Sequence, residues 1–262
     1  MAVDVPRMMI RDQSREDASG PTSSLATPKH TLRVGAWNVC TMYKTGKTAQ
    51  VFKEMERYRL NILGLSEIRW TGSGKITLGT GATLCYSGRS DGQHHEGVGI
   101  AMDRQSAKAL LEWEPVSSRI MRARFHSKFV KTTVTQCYAP TDQVEEEDKD
   151  LYYQCLQAQL DRTPHHDLLL VIGDLNAKVG PDNSGYEECM GREGEEVESE
   201  NVCLLKDLCR ENGLVIEGTL FKHKKAHKMT WTSPDQRTIN QMDHVMKKVA
   251  TFSAGRESCE RR

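Results

Sequence analysis

The chain has 262 residues, of which 37% are hydrophobic and 27% are charged, so it can bury a sizeable core. Lysine plus arginine and aspartate plus glutamate number 36 each, and the resulting net charge of zero excludes a global attraction to nucleic acid. The apolar runs are too short to span a bilayer, the first residues lack the pattern of a secretory signal, and the eight cysteines form no C-x-x-C pair. We therefore expect a nuclear or cytoplasmic protein that is not secreted, has no membrane segment and keeps its thiols reduced.

The first part of the chain combines a polar leader with a strand, a helix and a second strand. Residues 1–30 are rich in Ser, Asp, Arg and Pro, and this composition predicts a disordered leader. "LRVGAWN" predicts a strand, "TAQVFKEMERYR" predicts a helix with Val51, Met55 and Tyr58 on one face, and "NILGLSE" predicts the next strand. Strand, helix and strand in this order indicate a βα crossover unit.

Short β segments follow, and one of them alternates in polarity. "RIMRARFHS" places Met121, Ala123 and Phe125 between Arg122 and Arg124, which is typical of a half-buried strand. Further strands are predicted in "ATLCYSG", "EGVGIAM" and "VKTTVTQCYAP". The arginines are expected to face solvent.

The second half of the chain alternates helices with strands. "LYYQCLQAQL" predicts a helix, "DLLLVIGDLN" a strand, "VCLLKDLCRENG" a helix that ends at Asn212-Gly213, and "MTWTSPDQRTINQMDHVM" a β-hairpin. Strands outnumber helices and are interleaved with them, which predicts one mixed α/β domain of layered sheets with helices outside. We place this domain at residues 31–248, between the leader and a tail formed by residues 249–262.

Three of the predicted apolar strands end in oxygen-bearing side chains. "LRVGAWN" ends at Asn38, "NILGLSE" at Glu67, and "LLLVIGDLN" at Asp174 and Asn176. Residues two apart on a strand point the same way, so Asp174 and Asn176 are expected to project together. If the strands are parallel neighbours, these ends meet at one rim, and carboxylate and amide oxygens are ligands that Mg²⁺ prefers. The alternative is that each polar residue only forms a turn or caps a helix.

Asp243 lies among apolar residues in "INQMDHVM". An unpaired carboxylate would be costly to bury there. It therefore either faces solvent at a sheet edge or has a designated partner, such as a histidine that it orients.

Five motifs occur in an order that resembles the endonuclease/exonuclease/phosphatase superfamily, which includes DNase I, exonuclease III and the abasic-site endonucleases. The motifs are "WNV", "LSEIRW", "CYAPT", "GDLNA" and "TWTSP…NQMDHV". "GYEECMGREG" and "TLFKHKKAHKMTWTSP" most resemble the endonuclease domains of RTE-type LINE retrotransposons and craniofacial development protein 2-like proteins. The resemblance covers about Leu32 to Met246.

The resemblance implies a DNase I-like four-layer α/β sandwich, with two packed mixed sheets flanked by helices. It further implies a monomeric phosphodiesterase that nicks DNA through a metal-activated water, with Mg²⁺ or alternatively Mn²⁺ as its cofactor and no small-molecule cofactor. A lower-ranked alternative keeps the fold and hydrolyses a phosphoinositide or sphingomyelin headgroup.

The resemblance also implies roles for individual residues. Asn38 and Glu67 match metal-site residues, with Glu67 the main Mg²⁺ ligand, and Tyr138 matches a tyrosine that contacts the scissile phosphate. Asp174 matches the residue that orients or deprotonates the attacking water, and Asn176 matches a neighbour that binds the phosphate. Asp243 matches the aspartate that holds a catalytic histidine, and Trp231 matches an aromatic residue beside the substrate.

A basic segment precedes Trp231 in the sequence. Its lysines, expected to contact DNA phosphates, are Lys222, Lys224, Lys225 and Lys228. The alternative for this segment is an ordinary solvated loop.

Two departures from the family pattern concern catalysis. Cys40 stands where abasic-site endonucleases usually have an aspartate, and a neutral thiol is a poor Mg²⁺ ligand. The Ser-Asp-His motif that ends the family's domains does not occur in this sequence, so we expect the domain to lack its last strands and the catalytic histidine. His244 follows Asp243 directly and should face the opposite way on a strand. A catalytically inactive remnant that binds DNA or a protein is therefore the alternative function.

Overall fold

A computed structural model describes most of the predicted domain. The described residues are 24–25, 32–194, 198–199, 201–222, 231–232, 239–240 and 242–248, with only the backbone described at residues 231–232 and 239–240. The predicted tail and nearly all of the predicted leader lie outside these residues. Of the leader, Ser24 and Leu25 contact the body of the domain, where Leu25 N–H donates to the His126 carbonyl at 2.9 Å.

The first sheet has five strands in the order β1-β2-β5-β4-β3. These are β1 Val34–Asn38, β2 Ile62–Ser66, β3 Ser73–Thr77, β4 Thr83–Ser87 and β5 Val98–Met102. β1 and β2 run parallel, with Val34 opposite Ile62, and the other pairs are antiparallel. Helix α1, Lys47–Tyr58, connects the parallel pair, as the crossover pattern predicted.

The second sheet has six strands in the order β10-β13-β9-β8-β7-β6. These are β6 Leu110–Pro115, β7 Ile120–Phe125, β8 Thr132–Tyr138, β9 Leu168–Asp174, β10 Val215–Ile216 and β13 Asp243–Lys248. β8 and β9 are parallel, whereas β13 runs antiparallel to β9. The predicted hairpin is confirmed only in part. Its short arms β11 Trp231–Thr232 and β12 Ile239–Asn240 pair with each other, whereas its last residues begin β13 and pair with β9.

Helices cover the outer faces of both sheets. The other helices are α2 Arg104–Ala109, α3 Glu146–Asp161 and α4 Val202–Asn212. α1 packs its apolar side, including Val51, on the first sheet, and α3 and α4 pack on the second. Gly213 ends α4 with φ +63°, the left-handed conformation that the Asn-Gly pair predicted. None of the helices in the described part of the chain is long and apolar enough to cross a membrane.

A third apolar cluster lies between the two sheets. It joins Ile62 and Ile100 of the first sheet to Phe125, Val134 and Ile172 of the second. The layer order is therefore helix, sheet, sheet, helix, which confirms the predicted DNase I-like four-layer sandwich. β9 is buried along almost its whole length because both faces of its sheet are covered, which explains its continuous apolar run.

The prediction of a half-buried β7 was wrong. Five of its six residues are buried, because the first sheet covers one face of this strand. Arg122 is only 9% exposed and pairs with Glu112 and Glu114 of the neighbouring β6. Arg124 donates from Nε to the buried Asp167 carboxylate at 2.7 Å. Both arginines therefore pair with carboxylates of the protein, of which Asp167 is buried, whereas Glu112 and Glu114 remain partly open to solvent.

Candidate active site

Four side chains from two different sheets meet in one hydrogen-bonded cluster. Asn38 ends β1 and Glu67 follows β2, whereas Tyr138 ends β8 and Asp174 ends β9. Asn38 Nδ2 donates to Glu67 Oε1 at 2.9 Å and to Asp174 Oδ2 at 2.8 Å. The Tyr138 hydroxyl donates to the same Glu67 Oε1 at 3.0 Å. The strand ends therefore converge as expected, but at the junction of two sheets rather than on the rim of one.

The orientation of the Asn38 amide is fixed by its backbone neighbour. Cys40 N–H donates to Asn38 Oδ1 at 2.9 Å, so the amide oxygen accepts there and the nitrogen faces the two carboxylates. In this arrangement Asn38 bridges Glu67 and Asp174 as a double donor. Its predicted role as a metal-site residue stays a prediction.

Glu67 is held in its ionised form by its neighbours. Burial acts to raise the pKa of Glu67, but hydrogen bonds from Asn38, Arg69 and Tyr138 outweigh it and lower the pKa below the ordinary 4.5. Arg69 supplies the second contact of the carboxylate, with Nη2 2.8 Å from Glu67 Oε2. Glu67 is therefore an anion at neutral pH.

Asp174 differs from Glu67 although one amide links them. It is 2% exposed, and burial raises its pKa to about 6, against the hydrogen bonds from Asn38 and the Asn176 backbone. Two adjacent carboxyl groups with opposite pKa shifts are the arrangement that separates acid from base roles at a reaction centre. Asp174 is thus the group at this site suited to exchange a proton near neutral pH.

Asn176 does not project beside Asp174 as strand alternation would require. It lies two residues past the end of β9, with φ +46°, so the chain is no longer extended there. Its N–H donates to Asp174 Oδ1 at 3.0 Å, and its side-chain Nδ2 donates to the Ala139 carbonyl at 2.7 Å. The residue therefore shapes the loop that holds Asp174, and its predicted phosphate contact stays a prediction.

Asp243 and His244 begin β13 on opposite faces. Asp243 lies directly across from Asp174 in the antiparallel register, which puts both carboxylates on the same face, and it is 7% exposed. His244 points the other way and its Nε2 lies 2.7 Å from the Ala177 carbonyl oxygen. Burial lowers the pKa of His244 below its ordinary value, so the ring is neutral.

Backbone strain is concentrated around this cluster. Among the described residues, six other than glycine have positive φ, and four of them are Cys40, Glu67, Arg69 and Asn176. Such conformations are unfavourable for residues with a side chain and persist where the surrounding structure imposes them. Their clustering at one place supports a functional role for it.

Several supporting residues could not be found from the sequence alone. Arg119 places its guanidinium 5.0 Å from the Tyr138 ring centre and pairs with Glu96 at 2.9 Å. Gln136 Nε2 donates to Ser66 Oγ at 3.0 Å from the opposite sheet, behind the cluster. Only Arg69 had a sequence signal, since it stands two residues after Glu67 in the "LSEIRW" motif.

The donor set fits an open type of magnesium site. Within the described residues, no three His, Cys, Asp or Glu side chains are grouped so as to hold a metal by themselves. Mg²⁺ often binds through one or two carboxylates and keeps several waters or substrate oxygens. The Glu67 and Asp174 carboxylates contact the same amide nitrogen. They therefore fit a site that is completed by water or substrate better than a site made only of protein ligands.

The residues predicted to contact DNA are only partly described. Lys222 is exposed after α4, at the end of a described stretch. Trp231 pairs with Asn240 through its backbone. The side chain of Trp231 and all of Lys224, Lys225 and Lys228 lie outside the described residues, so these contacts stay predictions.

Sequence comparisons relate this chain to two curated proteins. No protein-family model matches the chain. It is 36% identical over 236 residues to craniofacial development protein 2 of Bos taurus, covering 90% of this chain and 39% of that protein. The Tragulus javanicus protein of the same name is 35% identical over 236 residues, covering 90% of this chain and 40% of that protein. The chain thus spans about two fifths of the length of these curated relatives.

Solved structures share the architecture at low sequence identity. The endonuclease domain of TRAS1, a telomere-specific non-LTR retrotransposon, aligns with a TM-score of 0.55 and 16% identity over 82% of this chain and 84% of that one. AP endonuclease LMAP from Leishmania major gives 0.59 and 12% over 81% and 78%. The 3′ phosphatase NExo from Neisseria, bound to a product DNA hairpin, gives 0.58 and 17% over 83% and 87%.

Proposed function

We propose that this chain is an endonuclease that hydrolyses phosphodiester bonds in DNA. The premise is that it is a homologue of craniofacial development protein 2 with the DNase I-like fold. The observation that carries the proposal is the cluster in which Asn38 links Glu67 to Asp174, with Tyr138 on the same carboxylate. A phosphodiesterase needs an anionic site that attracts a cation, a group that exchanges a proton, and donors for phosphate oxygens.

Residues of the cluster and their neighbours supply these needs. Asp174, whose pKa is raised to about 6 by burial, orients a water molecule and takes its proton as the water attacks phosphorus. Asp243, across from it on β13, adds a further carboxyl group on the same face of the sheet. The Tyr138 hydroxyl and the Arg69 guanidinium can turn from Glu67 to donate to phosphate oxygens.

Glu67, the carboxylate that its neighbours keep ionised, would hold the divalent cation. Mg²⁺, or Mn²⁺ in its place, would there supply the positive charge that neutralises the phosphate and the leaving oxygen. Arg69 Nη2 donates to Glu67 Oε2, so a cation held by Glu67 would compete with Arg69 for this carboxylate and could displace it. Because Arg69 is 44% exposed at its side chain, this movement is open to it.

A plasmid-nicking assay tests the proposal. With Mg²⁺, the chain should convert supercoiled DNA to the nicked form, and EDTA should stop it. Glu67→Gln and Asp174→Asn should each lower the rate by about 10² or more, as removal of catalytic groups does in other enzymes. Glu56→Gln, on the exposed side of α1, is the matched control and should nick like the parent chain. Equal nicking by the parent and Glu67→Gln would contradict the proposal.

A second function is a DNA-binding module without hydrolysis, and the position of His244 favours it. This histidine, next to Asp243 in the chain, hydrogen-bonds to Ala177 on the face of β13 opposite to Asp174. It therefore cannot act as an acid or base beside the carboxylates. DNA binding that persists in Glu67→Gln, with no nicking by any variant, would support this function.

A further inference from the structure

An exposed aromatic pair lies beside the carboxylate cluster. Tyr43, between β1 and α1, is 65% exposed, and His94, between β4 and β5, is also exposed. Their ring centres are 4.7 Å apart at an interplanar angle of 78°, and the Tyr43 hydroxyl lies 3.4 Å from His94 Nε2. An edge-to-face contact covers one part of the tyrosine ring and leaves most of it open to solvent.

The backbone under Tyr43 is fixed to the segment that carries Glu67. The preceding residue, Met42, is buried, its N–H donates to the Ile68 carbonyl at 3.0 Å, and its carbonyl accepts from Trp70 Nε1 at 3.2 Å. Tyr43 N–H donates to Thr41 Oγ1 at 3.1 Å. The tyrosine is therefore held in place although its ring contributes little to the core.

Two contacts connect the pair to the cluster. His94 Nδ1 lies 3.0 Å from the Arg69 carbonyl oxygen, and Arg69 Nη2 lies 2.8 Å from Glu67 Oε2. Two cationic residues follow Tyr43 closely in the chain, since Lys44 is the next residue and Lys47 begins α1. An aromatic face next to cations is the combination that binds a nucleotide, because the base stacks while the cations neutralise its phosphate.

We propose that Tyr43, supported by His94, is a stacking platform for an unpaired nucleobase of the DNA strand, beside the phosphate that a cation at the Glu67 carboxylate would neutralise. The proposal rests on the proposed function, since it takes DNA as the ligand of the site. Every base offers a π-face, so the contact tolerates many sequences. Its purpose is to fix the register of the strand, while Arg69 contacts the backbone.

Binding measured without hydrolysis tests the platform. A single-stranded oligonucleotide that carries 2-aminopurine near its centre is titrated with the full chain in Ca²⁺ instead of Mg²⁺, so that a cation still neutralises the phosphate. The affinity and the quenching of the base are recorded, and gel electrophoresis checks that the oligonucleotide stays intact. Tyr43→Ala should bind roughly 5- to 150-fold more weakly, the range that stacking of one base on an aromatic contributes, and should lose the quenching. Tyr43→Phe, which keeps the ring, should restore most of the affinity and the quenching.

Tyr58→Ala is the matched control. Tyr58 is also a tyrosine, 59% exposed, but it stands at the end of α1 beside Arg57. This variant should bind like the parent. Equal affinity in Tyr43→Ala and the parent, or binding by Tyr43→Phe as weak as that of Tyr43→Ala, overturns the platform.

The outcomes separate the platform from the proposed function. In one outcome, binding depends on Tyr43 but Glu67→Gln does not reduce nicking. This result supports the platform and rejects the endonuclease. Nicking that depends on Glu67, together with unchanged affinity in Tyr43→Ala, keeps the endonuclease and rejects the platform. If the parent chain does not bind the oligonucleotide, the platform is rejected whatever the nicking assay gives.

Discussion

Asn38 links the two sheets at the site through one amide nitrogen that contacts Glu67 and Asp174. Asn38→Asp would replace that donor with a third carboxylate. In EDTA the variant should lose about 2–4 kcal/mol of unfolding free energy, because two hydrogen bonds to charged groups are lost and like charges are added. Millimolar Mg²⁺ should return part of this stability. Urea unfolding with and without Mg²⁺ measures both effects.

Asn38→Ala provides the control for charge, because it loses the same two hydrogen bonds without adding a carboxylate. It should be less destabilised in EDTA than Asn38→Asp, and Mg²⁺ should change its stability no more than that of the parent. Identical behaviour of the two variants would show that repulsion between carboxylates does not govern this corner of the protein.

His244 makes the stability of the fold depend on pH. Burial lowers the pKa of His244 in the folded state below the ordinary 6.5. Below pH 6.5 this histidine is therefore protonated in the unfolded chain before it is protonated in the folded one. This contribution to stability is complete above pH 6.5 and is lost as the pH falls towards the folded-state pKa. The loss is at most about 1.4 kcal/mol per pH unit.

A comparison of His244→Gln with the parent isolates this effect. Glutamine cannot take up the proton but can still donate to the Ala177 carbonyl. The variant should therefore lose less unfolding free energy than the parent between pH 7.5 and pH 5.5, and subtraction cancels the other titrating groups, including Asp174. His165→Gln, at an exposed histidine, should show the parent's pH dependence. If all three chains lose the same stability, His244 is not the source.

At the residue scale, the sequence predicted those site residues that lie at strand ends. It did not predict the site residues that are brought there by contacts between distant strands. Asn38, Glu67 and Asp174 stand where an apolar run meets a polar residue, and the structure brings them together. Arg119 contacts Tyr138 because β7 pairs with β8, and no local sequence pattern predicts this pairing. The register between strands distant in sequence carries this information.

At the scale of elements, the end of β9 depends on a glycine. Gly173 has φ +137°, and a Cβ at this position would lie 2.0 Å from the Cys137 carbonyl oxygen. Gly173→Ala should cost about 3–5 kcal/mol of unfolding free energy, through backbone strain and a clash with the neighbouring strand. Thermal or urea unfolding measures the loss, and nicking should fall as well, since Asp174 follows directly.

Gly185→Ala is the matched control for the glycine in β9. Gly185 also has a positive φ, +79°, but nothing lies within 4 Å of the added Cβ. It should cost only about 1–2 kcal/mol, the strain of the left-handed backbone alone. A similar loss of unfolding free energy in both variants would mean that the clash between the added Cβ and β8 does not destabilise the fold.

Elements were predicted where periodicity is strong and missed where tertiary packing decides. The three long helices and the buried β9 follow from their apolar patterns. α2 has only six residues and depends on a cap, in which Asp103 Oδ1 accepts from Ser106 N–H at 2.6 Å. The burial of β7 depends on the sheet that covers it, which no window along the chain contains.

At the scale of the whole molecule, the two sheets share one apolar core and are also joined by polar contacts. Ile62, Ile100, Phe125 and Ile172 form part of the cluster between them. Gln136 crosses the same interface, where its Nε2 donates to the Leu65 carbonyl at 3.2 Å. Either sheet alone would expose this apolar face and leave buried polar groups unpaired. We therefore expect the two sheets to unfold in a single transition.

Single-tryptophan variants test that cooperativity. Trp37 lies in β1 of the first sheet and Trp113 in β6 of the second, so keeping one and changing the other three tryptophans to phenylalanine gives a reporter for each sheet. In each variant, urea unfolding followed by fluorescence should coincide with that followed by circular dichroism, as a two-state transition requires. A Trp37 signal that changes at lower urea than the circular dichroism would show that the first sheet opens independently. Because Glu67 and Asp174 come from different sheets, such an opening would also take the site apart before the molecule unfolds.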